Sequence, residues 1–237
     1  MIRNVFLDLD DTLLDFHRAE REALGRTFLA LGLEAGEELL DHYSRINQAC
    51  WRQLERGELS REELKLQRFV RLFREEALPG APEQAAGLYE LQLSRGHYFM
   101  PGAPELLAAL RGRYRLFLAS NGTTPVQRGR IASAGIAPYF EEIFLSEELG
   151  SNKPDPAFFD ACFRARPDLR RSECILVGDS LSSDIQGGIN AGIATVWYNP
   201  RGLENPTPRP EREIRSLAEL PALLECWEEI PPKRAHS

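Results

Sequence analysis

NVFLDLDDTLLDF, residues 4–16, is the stretch whose reading decides the fold. Val5, Phe6 and Leu7 make a short unbroken apolar run, the pattern of a strand buried on both faces of a parallel sheet. Asp8, Asp10 and Asp11 follow at once, three carboxylates within four positions. Asp8 and Asp10 stand two apart, so in extended backbone they project to the same side. Two carboxylates at about 4 Å and an effective dielectric of about 20 repel by roughly 4 kcal/mol. Such a cluster needs a cation.

Outward from this strand the pattern changes twice. From about 16 to 96 the periodicity is helical, with Leu24, Phe28 and Leu31 on one stripe and Leu39, Tyr43, Ile46, Cys50 and Leu54 on a second. The capping box Ser60-Arg61-Glu62-Glu63 opens a third helix with Leu66, Val70, Phe73 and Ala77 on one face. Leu78-Pro79-Gly80-Ala81-Pro82 breaks it and starts a fourth, ending near Gly96. After Met100-Pro101-Gly102-Ala103-Pro104, strands near 114–119, 142–145, 174–177 and 193–197 alternate with helices near 124–134, 155–165 and 183–191. That alternation predicts an α/β fold, a doubly wound parallel sheet that includes a strand at 2–8. The predicted domains are a core of residues 1–14 and 98–237 and an inserted all-helical cap, 15–97. Residues 199–210, with four prolines, read as a surface loop, 216–226 as a last helix and 231–237 as a loose polar tail.

Open parallel sheets bind ligands outside the carboxyl ends of their strands. Here the run Leu116-Phe117-Leu118-Ala119 ends in Ser120, and Ile175-Leu176-Val177-Gly178 ends in Asp179. Ile143-Phe144-Leu145 leads by a short loop to Lys153, and Asp184 lies five residues after Asp179. One sheet edge thus gathers carboxylates, a hydroxyl and an ammonium. Mg²⁺ suits such a set, because it favours carboxylate oxygens, water and a substrate phosphate.

Asp8-Leu9-Asp10-Asp11-Thr12, Ser120-Asn121-Gly122, Lys153-Pro154 and Gly178-Asp179-Ser180-Leu181-Ser182-Ser183-Asp184 resemble, in order, the four motifs of the haloacid dehalogenase (HAD) superfamily. The likeness runs from the start of the chain to about residue 200, and the insertion resembles that family's helical cap of the first type. The resemblance implies a Rossmann-like core and a Mg²⁺-dependent phosphatase. Asp8 would be the nucleophile and Asp10 the general acid, then base. Ser120, Asn121 and Lys153 would grip the transferring oxygens. Asp8, Asp10 (through its carbonyl), Asp179 and Asp184 (through water) would hold the metal. Dehalogenases of the superfamily lack an acid at the Asp10 position and P-type ATPases carry a threonine, so Asp10 favours a phosphatase.

Ser146-Glu147-Glu148-Leu149-Gly150, and Asp184-Ile185-Gln186-Gly187-Gly188-Ile189-Asn190-Ala191-Gly192 with Trp197 and Asn199, are similar to the bacterial pyrimidine nucleotide 5'-nucleotidases of that superfamily. That group is associated with clearing non-canonical nucleoside monophosphates. Phosphoglycolate or sugar-phosphate phosphatases share the scaffold, and a non-catalytic phosphate-binding regulator is a reading of another class. On the cap, Asn47, Trp51 and Arg68 are expected toward the substrate, although Trp51 also continues an apolar stripe. Asp11 reads as a solvated turn carboxylate, Thr12 as a residue that fixes the loop, and His17 as a surface or hinge residue.

A net charge of -7 over 237 residues gives no global attraction for a nucleic acid polymer or an anionic membrane. No apolar run approaches the roughly 18 residues of a membrane span, and no signal-peptide pattern is seen. Cys50, Cys162, Cys174 and Cys226 are scattered, which argues for reduced thiols and a cytoplasmic location rather than a disulfide framework or zinc site. The four histidines form no catalytic pattern. The expected partner is a small phosphorylated metabolite, and the expected state a monomer or homodimer.

Overall fold

A computed structural model describes residues 1–204 and 207–227. Its centre is β1 (Asn4–Leu7), every residue of which is buried. Val5 and Leu7 enter one apolar core and Phe6 the other, on opposite faces of the sheet. The other strands are β2 (Arg115–Ser120), β3 (Glu142–Leu145), β4 (Cys174–Gly178), β5 (Ala194–Tyr198) and β6 (Arg212–Ile214). Among the described residues they form one parallel sheet in the order β3-β2-β1-β4-β5-β6. The chain fills one side of β1, then crosses to the other. The switch point lies between β1 and β4, where Asp8 and Asp179 leave the sheet.

The cap consists of α1 (Phe16–Ala30), α2 (Glu37–Glu55), α3 (Arg61–Glu75) and α4 (Pro82–Leu93). Around the sheet follow α5 (Ala103–Leu110), α6 (Thr124–Ala134), the short α7 (Ser146–Leu149), α8 (Pro156–Ala165), α9 (Gln186–Ala191) and α10 (Leu220–Glu225). Leu106, Leu107 and Leu110 of α5 and Leu220 and Leu224 of α10 seal the Val5 face, while Phe158, Phe159 and Cys162 of α8 seal the Phe6 face. Phe6 stacks on Phe117 with ring centroids 5.0 Å apart and meets Phe159 edge-on at 5.7 Å.

Three expectations need correction. The inward face of α3 is Leu64, Arg68, Phe69, Leu72 and Phe73, and Val70 is 40% exposed. Arg68 takes an inward place because its guanidinium lies over the Tyr89 ring, 4.9 Å from its centre, and donates to Asn47. The predicted helix 183–191 is a wide π-type turn, Leu181–Ile185, followed by α9. The strand β6 was not expected at all, since three residues are too few to display a period. The loop 199–210 has no regular element among its described residues, and the tail 231–237 lies outside them.

The two connections between cap and sheet run side by side. Asp15 N donates to Tyr98 O at 2.7 Å and Met100 N to Leu13 O at 2.9 Å. The return connection ends at Gly102, whose φ of 82° is left-handed and suits glycine. No described helix is long and apolar enough to cross a membrane.

Candidate active site

The site is built at the switch point. Asp8 is held by its own amide, which donates to Val177 O of β4 at 2.9 Å. The Lys153 ammonium, with no exposed surface, donates to Asp8 Oδ1 at 2.8 Å, Asp184 Oδ1 at 2.6 Å and the Ala119 carbonyl at 2.6 Å. Asn121 clamps the Lys153 backbone from both sides: its Nδ2 donates to Lys153 O at 2.7 Å, and Lys153 N donates to its Oδ1 at 2.8 Å. The Asn121 side chain is therefore spent on placing Lys153.

Asp8, Asp179 and Asp184 each offer an oxygen within 4.8 Å of the others. Burial, then the Asp184 charge, push the Asp8 carboxyl up to about 8 against the opposing pull of Lys153. Burial, then Asp184 and Asp8, likewise raise Asp179 well above the usual carboxylate range. One ammonium does not balance three carboxylates. An all-oxygen donor set with surplus negative charge fits Mg²⁺. Gly178 makes the arrangement possible, since a Cβ there would sit 2.2 Å from Asp184 Oδ2.

Thr12 is fully buried, and Asp179 N donates to its hydroxyl at 3.1 Å, tying the loop after β1 to the loop after β4. Asp11 is not simply solvated. Its Oδ1 accepts from Phe16 N at 2.9 Å and His17 N at 3.3 Å, so it caps the first turn of α1 from a left-handed φ of 58°.

Asp10 faces the same cavity, its carboxylate held by two residues of α6. Gln127 Nε2 donates to Asp10 Oδ2 at 2.6 Å and to Ser120 Oγ at 2.8 Å, and Arg130 Nη1 pairs with Asp10 Oδ1. Neither Gln127 nor Arg130 was picked out from the sequence. The signal was present: Val126 and Ile131 place an apolar stripe on α6, and Gln127 and Arg130 lie beside them on the buried face.

The cavity over these groups has a volume of about 260 Å³. Asp8, Asp10, Ser120, Asn121, Asp179 and Asp184 line its floor, while Phe16, Gln48, Trp51 and Glu55 reach it from the cap. Trp51 thus lines the cavity. Asn47 and Arg68 lie elsewhere than expected. Asn47 is buried within the cap, donating to Glu20 at 2.7 Å and accepting from Arg68 at 3.1 Å. Arg68 does not line that cavity; it borders an adjoining 30 Å³ recess that Asp10, Phe16 and Trp51 also line.

The cap is latched over the site. Arg61, at the start of α3, donates to Asn121 O at 2.9 Å and Ser146 Oγ at 2.7 Å, bonds Asn152, and lies 5.7 Å from the Trp51 ring centre. Lys65 pairs with Glu147 at 3.1 Å, and Ser182 Oγ donates to Glu55 at 3.1 Å.

Residues 2–192 match the haloacid dehalogenase-like hydrolase family. The chain is 39% identical to the pyrimidine 5'-nucleotidase PynA of Streptococcus pneumoniae over 94% of its own length and 93% of that protein. It is 32% identical to the pyrimidine 5'-nucleotidase YjjG of Escherichia coli, over 93% and 96%. The crystal structure of the HAD-hydrolase YfnB of Bacillus subtilis, described as bound to magnesium and revealing interdomain movement, superposes with a TM-score of 0.89 at 34% identity, covering 94% of this chain and 98% of that one.

Proposed function

The chain belongs to the haloacid dehalogenase-like hydrolase family, and from that membership we propose a Mg²⁺-dependent phosphoric monoester hydrolase acting on pyrimidine nucleoside 5'-monophosphates through an aspartyl-phosphate. The observation that carries it is the Asp8 carboxylate at the switch point, 2.8 Å from the Lys153 ammonium and within 4.8 Å of Asp179 and Asp184.

In the first step an Asp8 oxygen attacks phosphorus. The Asp8 O–P bond forms as the bond to the nucleoside oxygen breaks, and Asp10 gives that oxygen its proton. In the second step Asp10 takes a proton from water as the water oxygen attacks phosphorus. The Asp8 O–P bond breaks, inorganic phosphate leaves, and Asp8 is restored. Lys153 and the Ser120 hydroxyl face the oxygens on which charge develops. Asp8, Asp179, Asp184 and the Asp10 carbonyl would hold Mg²⁺, which supplies positive charge against the phosphoryl oxygens when bound. The partner is a small phosphorylated metabolite. The aromatic walls Phe16 and Trp51 and the amide of Gln48 suit a planar base with hydrogen-bonding edges.

The test is phosphate release from a panel of esters in Mg²⁺ and in chelator. Release from thymidine and uridine monophosphates, abolished by chelator, supports the reading. Preferred release from phosphoglycolate or a sugar phosphate would move the substrate class and keep the chemistry. Tight binding of phosphate esters without release from any of them would make the protein a phosphate-binding regulator.

A further inference from the structure

We propose that Gln127 and Arg130 are positioning residues for Asp10, holding its carboxylate where it meets the leaving oxygen; this rests on Asp10 being the acid of the reaction above. Asp10 lies in the loop after β1, and a side chain there has several rotamers open to it. General acid catalysis needs the proton within hydrogen-bond reach of the departing atom, so a freely rotating carboxyl would deliver it rarely.

In this structure both carboxylate oxygens are engaged from α6, Oδ2 by Gln127 at 2.6 Å and Oδ1 by Arg130. The two holders also hold each other, with Arg130 Nη1 donating to Gln127 Oε1 at 3.1 Å. Each has a second anchor. Gln127 Nε2 donates to Ser120 Oγ at 2.8 Å, which sets Asp10 against the hydroxyl that faces the phosphoryl group. Arg130 Nε donates to Gly96 O at 3.1 Å, on the return connection from the cap. Arg130 has no exposed surface and Gln127 is 1% exposed, so neither orientation is averaged by solvent. Glycines make room for the pair: a Cβ at Gly122 would lie 2.2 Å from Gln127 Nε2, and one at Gly129 would lie 2.8 Å from Ser94 Cβ, holding α6 off the return connection. Two buried polar side chains committed to one carboxylate are more than packing requires, since an apolar pair would fill the same helix face without desolvation.

The test compares leaving groups. kcat/KM reports events only up to departure of the first product, so it isolates the step in which the leaving oxygen receives its proton. Gln127→Met and Arg130→Met are measured with Mg²⁺ on a nucleoside 5'-monophosphate, whose alkoxide leaving group needs a proton, and on dinitrophenyl phosphate, whose phenoxide does not. Asp10→Asn is the reference, and circular dichroism and melting report the fold. Each Met variant is expected to lose about 100-fold in kcat/KM on the nucleotide and less than about threefold on the dinitrophenyl ester. Equal losses on both esters, or none, would overturn the inference while a selective loss in Asp10→Asn left the role of Asp10 standing. A non-selective Asp10→Asn would overturn both, as would a wild type that releases phosphate from neither ester. Should Arg130→Met fail to fold, Gln127→Met makes the same comparison.

Discussion

At the scale of single residues, the site is a problem of charge. Lys153 gives its ammonium hydrogen bonds to two carboxylates and a carbonyl with no water contact. Removing one partner of a buried ion pair leaves the other uncompensated, at about 3–5 kcal/mol. Lys153→Met is therefore expected to lower stability by about 3 kcal/mol in chelator, read from denaturant midpoints, with part of the loss recovered in Mg²⁺. Asp8 has the opposite sign. Its carboxyl is pushed from 3.8 up to about 8, so the folded state binds a proton that the unfolded state has released across that interval. Stability from this group is full below the unfolded value and is lost as pH rises through about 8. In chelator the melting temperature should fall between pH 5 and pH 8, and Mg²⁺ should flatten that fall. Asp8→Asn should reduce the fall to the part that the raised Asp179 carboxyl contributes, while losing at least about 10³-fold in turnover. A fall as steep in Asp8→Asn as in the wild type would show that Asp8 does not contribute to it. Asp8, Ser120 and Asp179 were legible because each stands at or just beyond the end of an apolar run, and Lys153 because of the Lys153-Pro154 pair in its place among the four motifs. Gln127 and Arg130 are harder to read, because the apolar stripe of Val126 and Ile131 beside them marks a buried face but does not say that the polar residues on it serve a carboxylate.

At the scale of elements, the signals that could be read are those closed within a few residues. The Ser60 box is one: Glu63 N donates to Ser60 Oγ at 3.2 Å, and Ser60 N donates to Glu63 Oε2 at 2.8 Å. Ser60→Ala should cost about 1 kcal/mol of unfolding free energy with the denaturant slope unchanged. The face of α3 differs from the expected one because Arg68 points inward, where the distant partners Tyr89, Asn47 and Glu90 receive its guanidinium. The end of β4 is set by a glycine whose requirement is equally non-local. Gly178→Ala would force the Asp184 carboxylate aside by more than van der Waals overlap permits. The expected outcome is a Mg²⁺ affinity lowered by at least about tenfold, measured by calorimetry, in a protein that still melts cooperatively. Unchanged affinity would show that Asp184 lies outside the metal's reach.

At the scale of the whole molecule, the α/β alternation sufficed for the sheet, since short right-handed connections leave few topologies. How the cap sits on the sheet could not be read that way. It depends on Arg61 meeting Asn121 and Ser146, Lys65 meeting Glu147, and Glu55 meeting Ser182, pairs separated by 60 to 127 residues. Those polar contacts each contribute about 0.5–1.5 kcal/mol net, beside the apolar contact that Val126 of α6 makes with the cap core. The paired connections at Asp15–Tyr98 and Leu13–Met100, and Arg130 bonding the Gly96 carbonyl, also tie the cap to the sheet domain. The expected outcome is a cap that opens and closes within the catalytic cycle and, when closed, shields the reacting phosphoryl group from bulk solvent while leaving room for the one hydrolytic water. Spin labels at Leu91 on the cap and Ile189 on the core, both exposed, report the motion. Mg²⁺ with a phosphate analogue should collapse a broad distance distribution to a narrow one. Arg61→Met should broaden it again and raise KM severalfold with a smaller change in kcat. A distribution indifferent to Mg²⁺, analogue and Arg61 alike would mean that the cap is a fixed wall and that substrate enters by another route.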